Sequence, residues 1–324
     1  MNWLISLQRK MADKGKVLIT DKVDDLLIHG LQKLGYECDF RVGISQEEVD
    51  RIIYQFTGIL ITTKTTLYKP TLEKAAQLKW IARAGSGMEI VDVEYAKSKN
   101  IRCINSPEGN RNSVGEHALG LLLALTHNIV RSSKQTEKLI WNVEENRVTE
   151  ISGMTIGIIG YGNTGSSFAE KLKMFGVKVL AYDKYKTNFG NELVKECNLK
   201  DLFENCDVVS LHVPLTKETH HLANENFFNG FKKKLYFVNT SRGKVVDTSA
   251  LLNAVVQEKI TGAGLDVLEN ENFSSLTSSE KSLLEQLIQT GKTIITPHVA
   301  GKSFSSQKRF AEVLLTKITE SEQL

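Results

Sequence analysis

Gly160-Tyr161-Gly162-Asn163-Thr164-Gly165 follows the apolar run Thr155–Ile159 and opens a helical pattern that continues toward Phe175. Three glycines at this spacing, between a strand and a helix, leave the chain few options. The first permits a tight turn, the second lets a diphosphate approach the backbone, and the third lets helix and strand pack closely. The free N–H groups that begin such a helix meet phosphate charge. The next apolar run, Lys178–Tyr182, ends at Asp183, about 20 residues on, where a carboxylate accepts hydrogen bonds from a ribose. That carboxylate repels a 2′-phosphate, so NAD is expected over NADP, with Lys184 and Lys186 opposing the preference.

The motif sits within a longer alternation. Short apolar runs occur at residues 16–20, 58–61, 80–83, 102–104, 155–159, 178–182, 207–211, 235–239, 262–266 and 293–296. Helical patterns lie between most of them, as at residues 92–99 and 248–258. Continuous apolar runs suit strands buried on both faces, and repeated strand–helix alternation predicts an α/β fold with parallel sheets. A long helix is expected from Asn112 through residues 116–129, buried all round where residues 119–125 are apolar on every side. The polar stretch of residues 134–153 isolates Trp141, which either anchors a partner or covers its own domain.

With 324 residues the chain is long enough for two domains. A net charge of +3 over that length argues against a nucleic-acid binder. Cys38, Cys103, Cys197 and Cys206 form no CxxC pair and no zinc-type cluster, so they read as reduced core thiols of a cytoplasmic protein, with no metal expected. No run approaches the roughly 20 apolar residues of a membrane span. The start lacks a basic segment and a small-residue cleavage site, which argues against a signal peptide. Met1 and Met11 are both candidate initiators.

Three polar residues follow strand-like runs near the end of the chain. Arg242 comes after residues 235–239 and Thr240-Ser241. Its guanidinium suits forked binding of a carboxylate and polarisation of a neighbouring keto oxygen. His298 follows Pro297, which stiffens the loop that presents it. An imidazole there suits proton donation to an oxygen, or removal of a hydroxyl proton in reverse. A carboxylate beside it would fix the tautomer, and Asp266, Glu269 and Glu271 all lie within reach in sequence; spacing alone does not choose among them. His117 and His127 read as helix-packing or interface residues, and His220 and His221 as loop residues. His212, at a strand end, either lines a cofactor cleft or serves the structure. Pro107, Pro214 and Pro297 follow strands, where ligands of open α/β sheets bind.

From about Lys16 to about Leu315 the chain resembles the D-isomer-specific 2-hydroxyacid dehydrogenases. The motifs occur in that family's order: Arg83-Ala84-Gly85-Ser86-Gly87, Asn105-Ser106-Pro107 with Ser113-Val114-Gly115-Glu116-His117, the glycine fingerprint, Leu211-His212-Val213-Pro214-Leu215-Thr216, Asn239-Thr240-Ser241-Arg242-Gly243, Gly264-Leu265-Asp266-Val267 and Thr296-Pro297-His298-Val299-Ala300-Gly301.

The resemblance implies a central Rossmann dinucleotide-binding domain over residues 111–300, and a flavodoxin-like α/β substrate domain assembled from residues 1–110 and 301–324. It implies NAD as cofactor, held by residues 160–165, Asp183, His212, Pro214, Thr240 and Asp266. It places the catalytic Arg, Glu and His on Arg242, Glu271 and His298; the family's glutamate lies five residues after its Leu-Asp-Val aspartate, which selects Glu271. Ser86 and Gly87 amides would receive the substrate carboxylate, and Arg83, most like the 3-phosphoglycerate dehydrogenases, would meet a substrate phosphate. The expected activity is therefore interconversion of a small anionic D-2-hydroxyacid and its 2-keto acid, with 3-phosphoglycerate first and glyoxylate, hydroxypyruvate or another small 2-keto acid next. A homodimer joined through the nucleotide domains and the segment around Trp141 is also implied. A different class, an NAD-sensing binding protein like the family's corepressors, shares the three catalytic residues. The chain departs from the family at Asn272, where Pro is usual, at Met88-Glu89-Ile90, and in a longer stretch over residues 274–292.

Overall fold

The structure, a computed structural model, describes residues 13–321; both candidate start sites lie outside them. The chain divides into two compact units, residues 1–110 with 302–324, and residues 111–301.

The first unit carries β1 (Lys16–Ile19), β2 (Glu37–Phe40), β3 (Gly58–Ile61), β4 (Trp80–Arg83) and β5 (Arg102–Asn105). They form one sheet in the order β2-β1-β3-β4-β5, parallel throughout. This is the flavodoxin-like order. Both faces are covered, as the continuous apolar strands require. Leu18, Ile59, Ile61 and Ile81 serve one face. Val17, Ile19, Leu60, Trp80 and Ala82 serve the other, with Ala311, Leu314 and Ile318 of the helix Phe304–Ser321. That last helix is tied down by Lys317, whose ammonium donates to both oxygens of Glu108 at 2.9 Å and to the Asn105 carbonyl at 3.0 Å.

The second unit carries β6 (Thr155–Ile159), β7 (Lys178–Tyr182), β8 (Val194–Glu196), β9 (Val208–Leu211), β10 (Leu235–Asn239), β11 (Ile260–Leu265) and β12 (Thr293–Ile295). All are parallel, in the order β12-β11-β10-β9-β6-β7-β8. The chain runs outward from β6 to β8, then returns to build β9–β12 on the other side of β6. The reversal falls between β6 and β9, and ligands of open parallel sheets bind beyond the strand ends at such a point.

Three differences from the sequence reading have physical causes. The strands β2 and β8 were not expected; each is a sheet edge, paired on one side only, and neither is a continuous apolar run. The long helix ends at Thr126. Asn128 then takes a left-handed φ of 51°, and a separate helix, Ile129–Glu137, runs into the polar stretch that begins at Lys134. Nor is the Arg111–Thr126 helix buried all round: Val114, Ala118, Leu121, Leu122 and Leu125 are buried, while Gly120 is exposed and Leu119 and Leu123 are half-covered. Of the four free thiols only Cys206 is fully buried, and desolvation pushes it up to about 12. No helix among the described residues is long and apolar enough to cross a membrane.

Leu314 is fully buried against the first unit's sheet. Leu314→Ala is expected to remove ~2–5 kcal/mol from that unit, read as a lower urea midpoint. An unchanged midpoint would mean that the helix Phe304–Ser321 is not part of the unit's core.

Candidate active site

The glycine fingerprint occupies the turn after β6. Gly160 has φ +92°, and a Cβ there would stand 2.5 Å from the His212 carbonyl oxygen. A Cβ on Gly165 would stand 2.1 Å from the Gly160 carbonyl oxygen, so helix and turn are in contact only because both residues lack side chains. Gly162 is the N-cap of the helix Asn163–Leu172 and supplies no side-chain cap; the space before it is open. The helix thus begins with amides available to an anion.

At the end of β7, Asp183 is held at both oxygens. Oδ2 accepts from the Tyr161 amide at 2.8 Å; Oδ1 accepts from the Tyr185 and Lys186 amides at 2.9 and 3.1 Å. The two lysines expected to soften its charge are engaged elsewhere. Lys184 donates to Glu218 Oε2 at 2.7 Å, where the Tyr185 hydroxyl also donates, and Lys186 donates to the Tyr161 carbonyl. The Tyr161 ring stacks on Phe189.

His212 is buried, with Nε2 against Ser210 Oγ at 2.8 Å and Nδ1 against Thr164 Oγ1 at 3.2 Å. Its ring stacks on Phe168. Burial lowers its pKa to about 3, so it remains neutral and pins the fingerprint helix to β9. Pro214 ends its turn with a carbonyl that accepts from Thr219 Oγ1. The Thr240 hydroxyl, just past β10, is buried and has no hydrogen-bond partner. An orphaned donor at a strand's carboxyl end, open space before Gly162 and an oriented Asp183 carboxylate together fit a dinucleotide.

The segment that leaves β11 carries three carboxylates with three different partners. Asp266 is 1% exposed. Its Oδ1 accepts from Thr296 Oγ1 at 2.6 Å and the Val299 amide at 2.9 Å, and its Oδ2 from the Ala300 amide at 2.8 Å. His117 Nε2 stands 2.9 Å from Thr296 Oγ1 and 3.4 Å from Asp266 Oδ1. The carboxylate expected to touch cofactor therefore clamps the loop that carries His298. Glu269 turns toward His221 Nε2 at 2.8 Å. Glu271 Oε2 meets His298 Nδ1 at 2.7 Å, with the two side chains 44% and 45% exposed.

His298 has φ +54°, and its amide donates to the Asp266 carbonyl at 2.8 Å. Desolvation would raise the Glu271 carboxyl, but hydrogen bonding and charge from His298, the Leu268 amide and the Arg242 guanidinium outweigh it. The group is held below the ordinary glutamate range. The Arg242 guanidinium also donates to the Ser241 carbonyl at 2.8 Å. Its backbone is braced by the fully buried Asn239, whose Nδ2 donates to the Arg242 carbonyl and whose Oδ1 accepts from the Ser241 amide and hydroxyl. Glu271 and His298 are thus in direct contact within one unit, and the Arg242 charge acts on the same carboxyl. The sequence reading did not find the clamp role of Asp266, the contact of His117 with it, or the Asn239 brace; a polar residue at the end of an apolar run is the signal that marks Asp266 and Asn239, and nothing local marks His117.

In the first unit, Arg83 Nε donates to the Thr62 carbonyl at 2.9 Å, and its Nη1 engages the Gly87 carbonyl and Glu89 Oε2, the latter at 3.2 Å. Ser86 Oγ donates to Asn110 Oδ1, and its carbonyl accepts from Asn105 Nδ2.

A family model described as the NAD binding domain of D-isomer specific 2-hydroxyacid dehydrogenases matches residues 119–300. A hydroxypyruvate reductase of Thermotoga maritima is 34% identical over 277 residues, 85% of this chain and 88% of that protein. The chain belongs to the D-isomer specific 2-hydroxyacid dehydrogenase family. Its members are NAD-dependent oxidoreductases that act on CH–OH groups, and NAD is the cofactor of the matched domain. A D-3-phosphoglycerate dehydrogenase of Synechocystis is 31% identical over 91% of this chain, but the chain spans only 52% of that relative. A D-lactate dehydrogenase of Aquifex aeolicus, solved with NAD and lactic acid, superposes with a TM-score of 0.78 at 29% identity, covering 95% of each chain.

Titration of the protein with NADH and NADPH, followed by nicotinamide fluorescence, is expected to give at least about tenfold tighter binding of NADH, a difference of about 1.4 kcal/mol. Asp183→Ala should narrow that gap. Equal affinities in the wild type would remove Asp183 as the selecting group.

Proposed function

We propose that this family member interconverts a small D-2-hydroxyacid and its 2-keto acid, with Arg242, Glu271 and His298 as the reacting constellation. The 2.7 Å contact between His298 Nδ1 and Glu271 Oε2 carries the reading. With Nδ1 engaged, Nε2 is the imidazole nitrogen left to hold or receive the transferred proton. In reduction, protonated His298 donates from Nε2 to the substrate oxygen; in oxidation, the neutral ring removes the hydroxyl proton. Glu271 fixes the ring's orientation. Arg242 binds the carboxylate and polarises the keto oxygen. The nicotinamide ring, when bound, supplies or accepts the hydride. The free amides at the start of the helix Asn163–Leu172, the Asp183 carboxylate and the Thr240 hydroxyl are the groups proposed to hold the dinucleotide, while His212 supports them by packing.

For the substrate, the reading moves away from 3-phosphoglycerate. Arg83, expected to meet a phosphate, is held by the Thr62 carbonyl just after β3 and by Gly87 and Glu89 of the loop after β4. A carboxylate beside that guanidinium disfavours a second phosphate charge. An unphosphorylated two- or three-carbon 2-keto acid such as hydroxypyruvate or glyoxylate is favoured. The Thermotoga relative named a hydroxypyruvate reductase points the same way.

A homodimer is proposed from the segment after Glu137. Leu139 and Trp141 are 95% and 84% exposed, and Ile140 and Val143 are also exposed, an apolar run that a second copy would cover. Trp141→Glu is expected to shift sedimentation from dimer to monomer; a wild-type monomer would overturn the proposal.

An NADH-oxidation screen over hydroxypyruvate, glyoxylate, pyruvate and 3-phosphohydroxypyruvate tests the reaction. Turnover is expected, with hydroxypyruvate or glyoxylate ahead of the phosphorylated acid. Arg242→Ala and His298→Ala should each lose roughly a hundredfold or more of the rate while NADH binding persists. No turnover on any of the four acids, with NADH bound, shifts weight to the sensor class.

The pH dependence follows from Glu271. A depressed carboxyl favours the folded, charged form; its contribution is present above the ordinary glutamate pKa and fades as pH falls through the lower folded value. Between neutrality and about pH 5 the Glu271 charge therefore stays constant, and any loss of rate in that window has another source. An acid limb that persists in Glu271→Gln supports this; a limb that vanishes in the variant contradicts it.

A further inference from the structure

We propose that Glu269 and His221 form a positioning pair that holds Glu271 against His298. The proposal rests on the role given above to Glu271. Glu271 is about half exposed, so packing alone does not fix it, and the anchor must come from the chain leading to it. Two residues earlier, Glu269 uses both oxygens. Oε1 accepts from the Thr248 amide at 2.7 Å, at the start of the helix Thr248–Val256, and Oε2 meets His221 Nε2 at 2.8 Å. His221 is itself constrained: its φ is +50°, its amide donates to the Lys244 carbonyl at 2.9 Å, and its ring stacks on His220 with centroids 4.1 Å apart.

A second observation places this junction beside Arg242. A Cβ on Gly243 would stand 1.8 Å from the Leu268 carbonyl oxygen and 2.7 Å from the Glu269 amide nitrogen. The strand of chain that leads to Glu271 therefore runs directly across the residue after Arg242. Fixing Glu269 thus fixes the backbone on which Arg242 and Glu271 are set at their mutual distance. The second histidine–carboxylate pair of this segment touches no reacting group in this arrangement; it acts through Glu271. A carboxylate held by two donors from different elements orients the residues just beyond it, in the manner of groups that support a reactive pair.

The test is a double-mutant cycle on hydroxypyruvate reduction, with the NADH dissociation constant and the melting curve measured for each protein. Glu269→Ala is expected to lower kcat about tenfold or more, with NADH affinity unchanged. Glu269→Gln should recover most of the rate, because its amide can still accept from Thr248 and donate to a neutral His221. In a Glu271→Ala background, Glu269→Ala should add little further loss, since the residue it positions is gone. Multiplicative losses, a wild-type rate for Glu269→Ala, or a glutamine variant as slow as the alanine would each overturn the proposal. If Glu269→Ala does not melt cooperatively, His221→Asn replaces it in the cycle: asparagine tolerates the left-handed backbone and leaves the Thr248 bond intact. If the wild type reduces no 2-keto acid, the activity reading of the site fails on its own. Amide exchange over residues 268–271 then decides the positioning role. Faster exchange in the variant at an unchanged melting temperature supports it, and unchanged exchange refutes it.

Discussion

One buried carboxylate underlies the arrangement of the site. Asp266 leaves β11 with both oxygens directed into the loop after β12, and collects two amides and a hydroxyl from it. Hydrogen bonds to a charged acceptor contribute roughly 1.5–3 kcal/mol each, and a buried acceptor without donors is costly. The loop therefore has one low-energy course, and that course includes the left-handed backbone of His298. The imidazole is presented at a fixed place before any partner is considered. Glu271 then completes its orientation, and Arg242 biases the same carboxyl toward its charged state.

The neighbouring strands explain why distant residues meet. The strands β10, β11 and β12 are adjacent and parallel, so Arg242, Glu271 and His298 all emerge from the same end of the sheet. That much was legible in the apolar runs before each residue. The central strands were legible for the same reason, being apolar on both faces. The edge strands Glu37–Phe40 and Val194–Glu196 were not, because a strand paired on one side need not be apolar on both. The break at Asn128 was also hidden: helical periodicity continues through it, and only the backbone angle reveals the change of direction.

The choice among three carboxylates shows where pattern reading stops. Asp266, Glu269 and Glu271 lie within six residues and differ little in local sequence. Their roles separate through contacts from remote segments: the loop after β12, the start of the Thr248–Val256 helix with His221, and the ring of His298. A similar limit holds for cofactor selection. Lys184 and Lys186 look like counterweights to Asp183 until Glu218 and the Tyr161 carbonyl are seen to occupy them.

The helix Phe304–Ser321 belongs to the first unit, although residues 111–301 are made before it. During synthesis, domains usually complete themselves in the order in which they emerge. Here that order is inverted. The seven-stranded sheet has all its strands once β12 has been made, whereas Val17, Leu60 and Trp80 of the five-stranded sheet, already packed by Leu27 and Leu31, still wait for Ala311, Leu314 and Ile318 of the helix Phe304–Ser321. Until that helix is made, the nascent chain carries an unfinished apolar face, and this is the stage at which a chaperone that holds exposed hydrophobic surface would have the most to offer.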